Sequence, residues 1–440
     1  MPSRSWLLLA LLCLTAFAGC ADPADDGGRG KDGTHIQMVD ALTAYDAGEA
    51  SANIQRLGQW GEGAAEVDAC GHWLFVDAGA TVQILDVTDP ANPLEVADVT
   101  GLPDIKDVKS SDDCEWLFVG NDQSGSSPPL GGTAALTGGI YVIDASDKAQ
   151  PRITSYLAVG PRRGPHMVHY HQMADGRELV MGANADISIN EFDRATGTLH
   201  ELARYQPDIV AAYNRNPEVF DIYYQGWSHD MVARLDPVTN GTVLYVASWD
   251  AGLRIVDLSD PSDPIELGGW NDFPEGHEGN LHTVSSEWIA GRSITVGAVE
   301  VGFALVGGVH YATNTDRSIV YVWDSTDPAH IQLLGTWENP EGKPADRAEL
   351  DGGEGSTHNL QLEGGRIYLA HYNMGVFVLD VSTPQVQAGP AMLAFHKEPG
   401  DTVWDVVLSD GVLYSAGSQG VIALHYAPDV MGEEGVDSSA

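Results

Sequence analysis

VQILDVTDP at residues 82–90 is an alternating apolar run closed by Asp and a Thr-Asp-Pro turn, and the chain repeats it. IYVIDASD (140–147), LRIVDLSDP (253–261), IVYVWDSTDP (319–328), VFVLDVSTP (376–384) and the degraded SINEFDRATG (188–197) share the form. The closing Asp falls at positions 86, 144, 193, 257, 324 and 380, so the repeat recurs every 49 to 67 residues. One four-stranded propeller blade takes about 40–50 residues, and the excess belongs in loops. Short Val/Ile/Leu/Tyr runs between turn signals, with 50 Gly and 23 Pro in 440 residues, read as all-β throughout. The sequence predicts a β-propeller, whose blades share one continuous core and count as one domain.

The two ends of the chain predict how the ring closes. NIQRLGQW (53–60) matches the strings HIQLLGTW (330–337) and PIELGGW (264–270) that end other blades, but no three strands precede it. Three unmatched strands lie at the opposite end: TVWDVVLSDG (402–411), VLYSAGS (412–418) and GVIALHYA (420–427). The N-terminal strand is therefore expected to complete the C-terminal blade and remove the unpaired edge. Second strands near Leu74, Leu117, Leu179, Leu244, Leu305, Ile367 and Leu413 give seven blades within residues 51–428, followed by an acidic tail at 429–440. Insertions at 123–138, 207–226 and 338–355 interrupt blade 2 and delay blades 4 and 6, and the stretch 291–306 makes blade 5 irregular.

Residues 1–19 read as a signal peptide. Arg4 precedes an apolar run at 6–18 that is too short to cross a membrane as a helix. The run ends in Phe17-Ala18-Gly19-Cys20, which resembles the bacterial lipobox, with Phe17 where Leu is usual. The resemblance implies that Cys20 is lipidated and anchors the exported protein to the cell envelope, at the outer membrane or cell surface. Residues 20–50 are then anchor and Gly/Asp-rich linker. Export leaves Cys70 and Cys114, at like positions before two similar Trp-Leu-Phe-Val strands. They read either as a disulfide pinning blade 1 to blade 2 or as two buried thiols. A net charge of −41 repels nucleic acid and anionic headgroups, so membrane contact is expected through the anchor alone, and the protein is expected to be a monomer.

Aligning the start of each innermost strand exposes a column. Blades 3 to 6 begin GPHMVHYHQ, WSHDMVARL, NLHTVSSE and THNLQLEG, which places His166, His229, His282 and His358 at one height. Lys106 takes that place in blade 2, Trp404 in blade 7, and Ala65 or Glu66 in blade 1. Innermost strands line a propeller's channel, so four imidazoles are expected to converge at its mouth, where one transition-metal ion (Fe, Cu or Zn) would suit them. Blades 5 and 6 both read Glu-Gly-x-x-His, with Glu278 and Glu354 placed to orient the following His, and blade 1 offers Glu66. Common descent of the blades would copy a His column without any ligand, but three blades lack it. His169 and His171 share one strand face and read as packing residues. Turns after the second strands, Ser248-Trp249-Asp250-Ala251-Gly252 and His371-Tyr372-Asn373-Met374-Gly375, add Trp249, His371 and Tyr372 to the expected rim of the pocket, with His277, Trp404 and Lys106. The recurring Asp reads as a turn cap. No Gly-x-Ser-x-Gly elbow, phosphate loop, Cys-x-x-Cys or His-Glu-x-x-His motif is present.

The phrases VQILDVTDPANP, LRIVDLSDPSDP and VFVLDVSTP resemble the LVIVD-repeat family of exported propellers, and residues 357–384 are an especially close example of its His-Asn…Tyr-x-x-Gly form. The resemblance, from residue 54 to about 427, implies a secreted or lipid-anchored propeller and no settled activity. The four-His column is also similar to the iron site of the seven-bladed carotenoid-cleaving oxygenases, at the level of fold alone. Two functions follow. One is a binding or scaffold module that presents its channel-mouth face to a protein, glycan or small-molecule ligand. The other is a metal-dependent oxidoreductase or hydrolase built on the four histidines.

Overall fold

A computed structural model of the chain describes residues 50–102, 105–122, 138–159, 164–217, 227–274, 279–300, 303–306, 309–312, 318–339, 356–383 and 389–428. They form seven four-stranded antiparallel sheets arranged as a seven-bladed β-propeller. Innermost strands of successive blades lie side by side, and that of blade 7 lies against that of blade 1. The strand Ile54–Trp60 pairs with Gly420–Tyr426, so the first strand of the chain is the outer strand of the last blade. No sheet edge is left between the two ends of the chain.

Each blade is built by the repeated phrase. Its alternating apolar residues make the third strand, which is buried on both faces because neighbouring blades cover it (Gly139–Asp144 and Gly375–Asp380 are buried up to the terminal Asp). The Asp then ends the strand. Asp86 Oδ1 accepts from the Thr88 amide at 2.9 Å and its hydroxyl at 2.6 Å, and Asp144 and Asp324 bond Ser146 and Thr326 in the same way. A second Asp three residues on, at 89, 147, 260 and 327, accepts from the amide two residues further. These paired side-chain turns reverse the chain into the outer strand.

The core consists of seven apolar clusters, one at each blade-to-blade junction. A second device binds the same junctions. An innermost strand is an edge strand whose alternate N–H groups face away from its own sheet, and in every junction a side chain from the preceding blade accepts one of them. The acceptors are Asp68 for Ser110, Asp107 for Val168, His169 for Ala233, Asp230 for Val284, Ser285 for Leu362, Gln361 for Leu408 and Asp405 for Val67, at 2.6 to 3.2 Å. The last of these closes the ring. At the first junction Cys70 and Cys114 form a disulfide, with their Cα atoms 5.6 Å apart.

Blade 5 departs from its expected layout. Its second strand is Arg292–Val299, not a strand around Leu305. Leu305 lies instead on Phe303–Val306, which among the described residues pairs only with Val309–Ala312, as a hairpin inserted before the third strand. Ahead of blade 4, a short helix, Ile209–Arg215, docks on that blade's outer strand through Arg215 to the Gly269 carbonyl and Asn271 to the Ala212 carbonyl. Among the described residues no helix is long and apolar enough to cross a membrane.

Candidate metal centre at the channel mouth

One backbone position, repeated around the ring, delivers the column. The amide of Ala65, Lys106, His166, His229 or His358 donates to the carbonyl at the end of its blade's second strand, at 2.8 to 3.1 Å. In blade 1 the column residue is therefore Ala65. In blades 5 and 7 the register shifts at this point, so His282 and Trp404 sit on β-bulges that turn their side chains. The approach to His282 is tight: a Cβ on Gly279 would lie 2.4 Å from the Asp250 backbone, which is why the Glu-Gly-x-x-His string of blade 5 carries Gly there.

The four histidines form an arc. Ring centroids are 4.9 Å apart for His166 and His229, 3.9 Å for His229 and His282, and 4.2 Å for His282 and His358. All four are buried, His282 completely. The Nδ1 atoms of His166, His229 and His358 are tied down. His229 Nδ1 lies 3.0 Å from the His282 carbonyl and His358 Nδ1 lies 2.6 Å from the Trp404 carbonyl. A carbonyl only accepts, so each Nδ1 carries the proton and the neutral ring keeps its lone pair on Nε2, the usual preparation for a metal-binding imidazole. His166 Nδ1 faces Asp122 Oδ2 at 3.3 Å.

The arc gains a carboxylate that sequence reasoning missed. Glu300, buried just after the second strand of blade 5, brings Oε2 to 3.6 Å from His282 Nε2, and its Oε1 accepts from the Tyr372 hydroxyl. Ligand atoms of His282, Glu300 and His358 all lie within 4.8 Å of one another. First-row ions bond such donors at about 2.0–2.2 Å, so small side-chain rotations would seat one. Two imidazoles and a carboxylate suit zinc or non-haem iron, and leave coordination positions open.

A second ring supports the first. Two residues beyond each second-strand partner of the column stand Asp122, Trp249, Glu300 and Tyr372, in blades 2, 4, 5 and 6. Trp249 stands edge-on to His229 and His282, with centroids at 4.7 and 5.5 Å, and Tyr372 edge-on to His358 at 5.2 Å. Both aromatics have positive φ, 37° and 31°. Bulky side chains held in that region mark a constrained site. The same register was a signal for Glu300, hidden when the second strand of blade 5 is sought around Leu305.

Other expected site residues fall elsewhere. His371 is not on the rim. It is completely buried beside Trp337 and Phe377, and burial pushes its pKa down to about 4. Strand alternation explains the correction, because it sends His371 into the blade and Tyr372 to the column. Glu66 lies one residue past the column and turns to Asn359, whose amide donates to both its oxygens. Burial, then the neighbouring Asp405 and Asp107, raise the Glu66 pKa well above the ordinary range. Lys106 keeps its place in the column, and Trp404 serves His358 through its carbonyl. His169 and His171 are junction residues, bonded to the Ala233 amide and the Thr242 hydroxyl. His277, Glu278, Glu354 and Cys20 lie outside the described residues.

The LVIVD repeat family model matches residues 239–272. The matched segment, which is similar to an LVIVD repeat, lies in blade 4. The match spans its second, third and outer strands, with Trp249 between the first two. No curated protein matches the chain in sequence. Among solved structures the chain is similar to the WD40 β-propeller domain of Doa1, with 11% identity, a TM-score of 0.54, and coverage of 85% of this chain and 97% of that one. At that identity the likeness concerns the fold alone.

Proposed function

We propose that the chain is an exported, lipid-anchored β-propeller that acts as a binding module through its channel-mouth face, with one transition-metal ion as the element that engages its ligand. The observation that carries this reading is the convergence of His282, His358 and Glu300 donor atoms within 4.8 Å. The tautomer of His358, set by the Trp404 carbonyl, and the Tyr372 hydrogen bond to Glu300 support it, since both orient donors as metal sites require. The signal-like N-terminus ending in Cys20 and the Cys70–Cys114 disulfide fit an oxidising compartment outside the cytoplasm. Ligands reach such a site from the mouth, the face on which propellers commonly bind.

Metal analysis of the purified chain tests the reading. About one ion per chain is expected, falling to background in His282→Ala and in Glu300→Ala, with both variants folded by circular dichroism. Trace metal that neither substitution changes would overturn it. Labelling of Cys20 by a radioactive fatty acid in the producing bacterium, lost in Cys20→Ser, tests the anchor.

A further inference from the structure

The four histidines do not contribute equally. Only His282 and His358 join Glu300 in the mutually close set, and no ligand atom of His166 or His229 belongs to it. His229 gives its Nδ1–H to the His282 carbonyl, as His358 does to Trp404, and stands against Trp249, so what separates it from His358 is its position outside the close set. His166 is engaged with Asp122 and lies one blade further along the arc, beside Lys106 in the column.

Glu300 is restricted as well. One of its oxygens accepts from Tyr372 while the other faces His282, so it offers an ion a single oxygen. Two imidazole nitrogens and one carboxylate oxygen make three bonds, against the four to six that first-row ions take in such sites. A divalent ion with one carboxylate also keeps a positive charge. The imidazoles of His229 and His166, with Lys106 beyond them, line the side of the arc away from His358.

We infer that the centre is coordinatively open and accepts a small anionic donor ligand, with His229 and His166 as walls of the open position rather than as ligands to the ion. This rests on the metal reading above and deepens it. It divides the column into two ligands and two wall residues, where four equivalent imidazoles would instead fill a tetrahedral shell by themselves.

Cobalt(II)-loaded full-length protein, with azide as the probe anion, separates the possibilities by visible absorption. The expected result is one cobalt per chain in the wild type, in His229→Ala and in His166→Ala, with an azide-dependent spectral change that saturates in the wild type. The azide-dependent change should persist in His229→Ala and in His229→Gln, since neither substitution removes a ligand to the ion. Cobalt bound at unit stoichiometry but lost in both His229 variants, with folding retained, would overturn the division while leaving a metal centre in place. So would a cobalt spectrum that azide does not change. Failure of the wild type to take up cobalt would overturn the metal reading itself.

Discussion

Asp230, next to His229 on the innermost strand of blade 4, is a junction acceptor that takes the Val284 amide and the Thr283 hydroxyl on one oxygen and the Met231 amide on the other. Burial is the largest influence on it and pushes its pKa up to about 6 despite those hydrogen bonds. A raised carboxyl pKa contributes stability that is fully present below the unfolded value of about 3.9 and is lost as pH rises through the folded one. Asp230→Asn keeps an acceptor for the Val284 and Thr283 donors without the charge and gives up only the local bond from the adjacent Met231 amide. Its unfolding free energy should therefore exceed the wild type's at pH 7, by on the order of 2–3 kcal/mol, with the gap closing towards pH 4 in urea titrations. His169 works in the opposite sense. It accepts from the Ala233 amide through Nε2, and burial lowers its pKa to about 3. The unfolded chain takes up a proton there below about pH 6.5 while the native ring does not, so this contribution declines as pH falls. His169→Gln, which can still accept, should flatten the acid limb of the stability profile between pH 6 and 4.

At the scale of the element, the blade is a local unit and the junction is not. Asx-type turns at Asp86, Asp144 and Asp324 are made within three residues, which is why the repeated phrase exposes them so plainly. The junction acceptors join strands more than forty residues apart, and chemically different side chains fill the same role. Asp405 is the most consequential, because it binds the Val67 amide across the closure and also receives the Asn359 amide. Asp405→Ala should cost about 1–3 kcal/mol by leaving buried donors unsatisfied, read as a lower denaturation midpoint at unchanged m-value. Ser285→Ala, which removes a neutral acceptor from the Leu362 amide, should cost about 1 kcal/mol.

For the whole molecule, ring closure and the disulfide are the two long-range constraints. Deleting residues 50–60 removes the outer strand of blade 7 and exposes the Gly420–Tyr426 edge. The truncated chain should lose cooperative unfolding and self-associate, which sedimentation velocity would detect. The Cys70–Cys114 bond spans 44 residues, so reduction should lower stability by about 2–4 kcal/mol. The double variant Cys70→Ser, Cys114→Ser should show the same midpoint with and without reductant. Both devices act on blades 7, 1 and 2, leaving the histidine arc of blades 3 to 6 to rest on packing and on the junction bonds.

Much of this architecture was legible in the order of residues. Strand alternation and the Asp-closed turn are properties of adjacent positions, so they set the blade boundaries, the count of seven, the exchange of the first strand into the last blade and the alignment of His166, His229, His282 and His358. Reading failed where the pattern was broken, in blade 5, and the misplaced second strand concealed Glu300. What only the tertiary structure decided is which of the aligned side chains share a point in space. His371 and Tyr372 are neighbours in the same turn, yet one packs against Trp337 in the core and the other bonds Glu300. The bulge at His282, the rotation of one blade on the next and the pairing of Cys70 with Cys114 depend on contacts between distant strands. No local pattern encodes them, because the free energy that selects them comes from burial at the junctions.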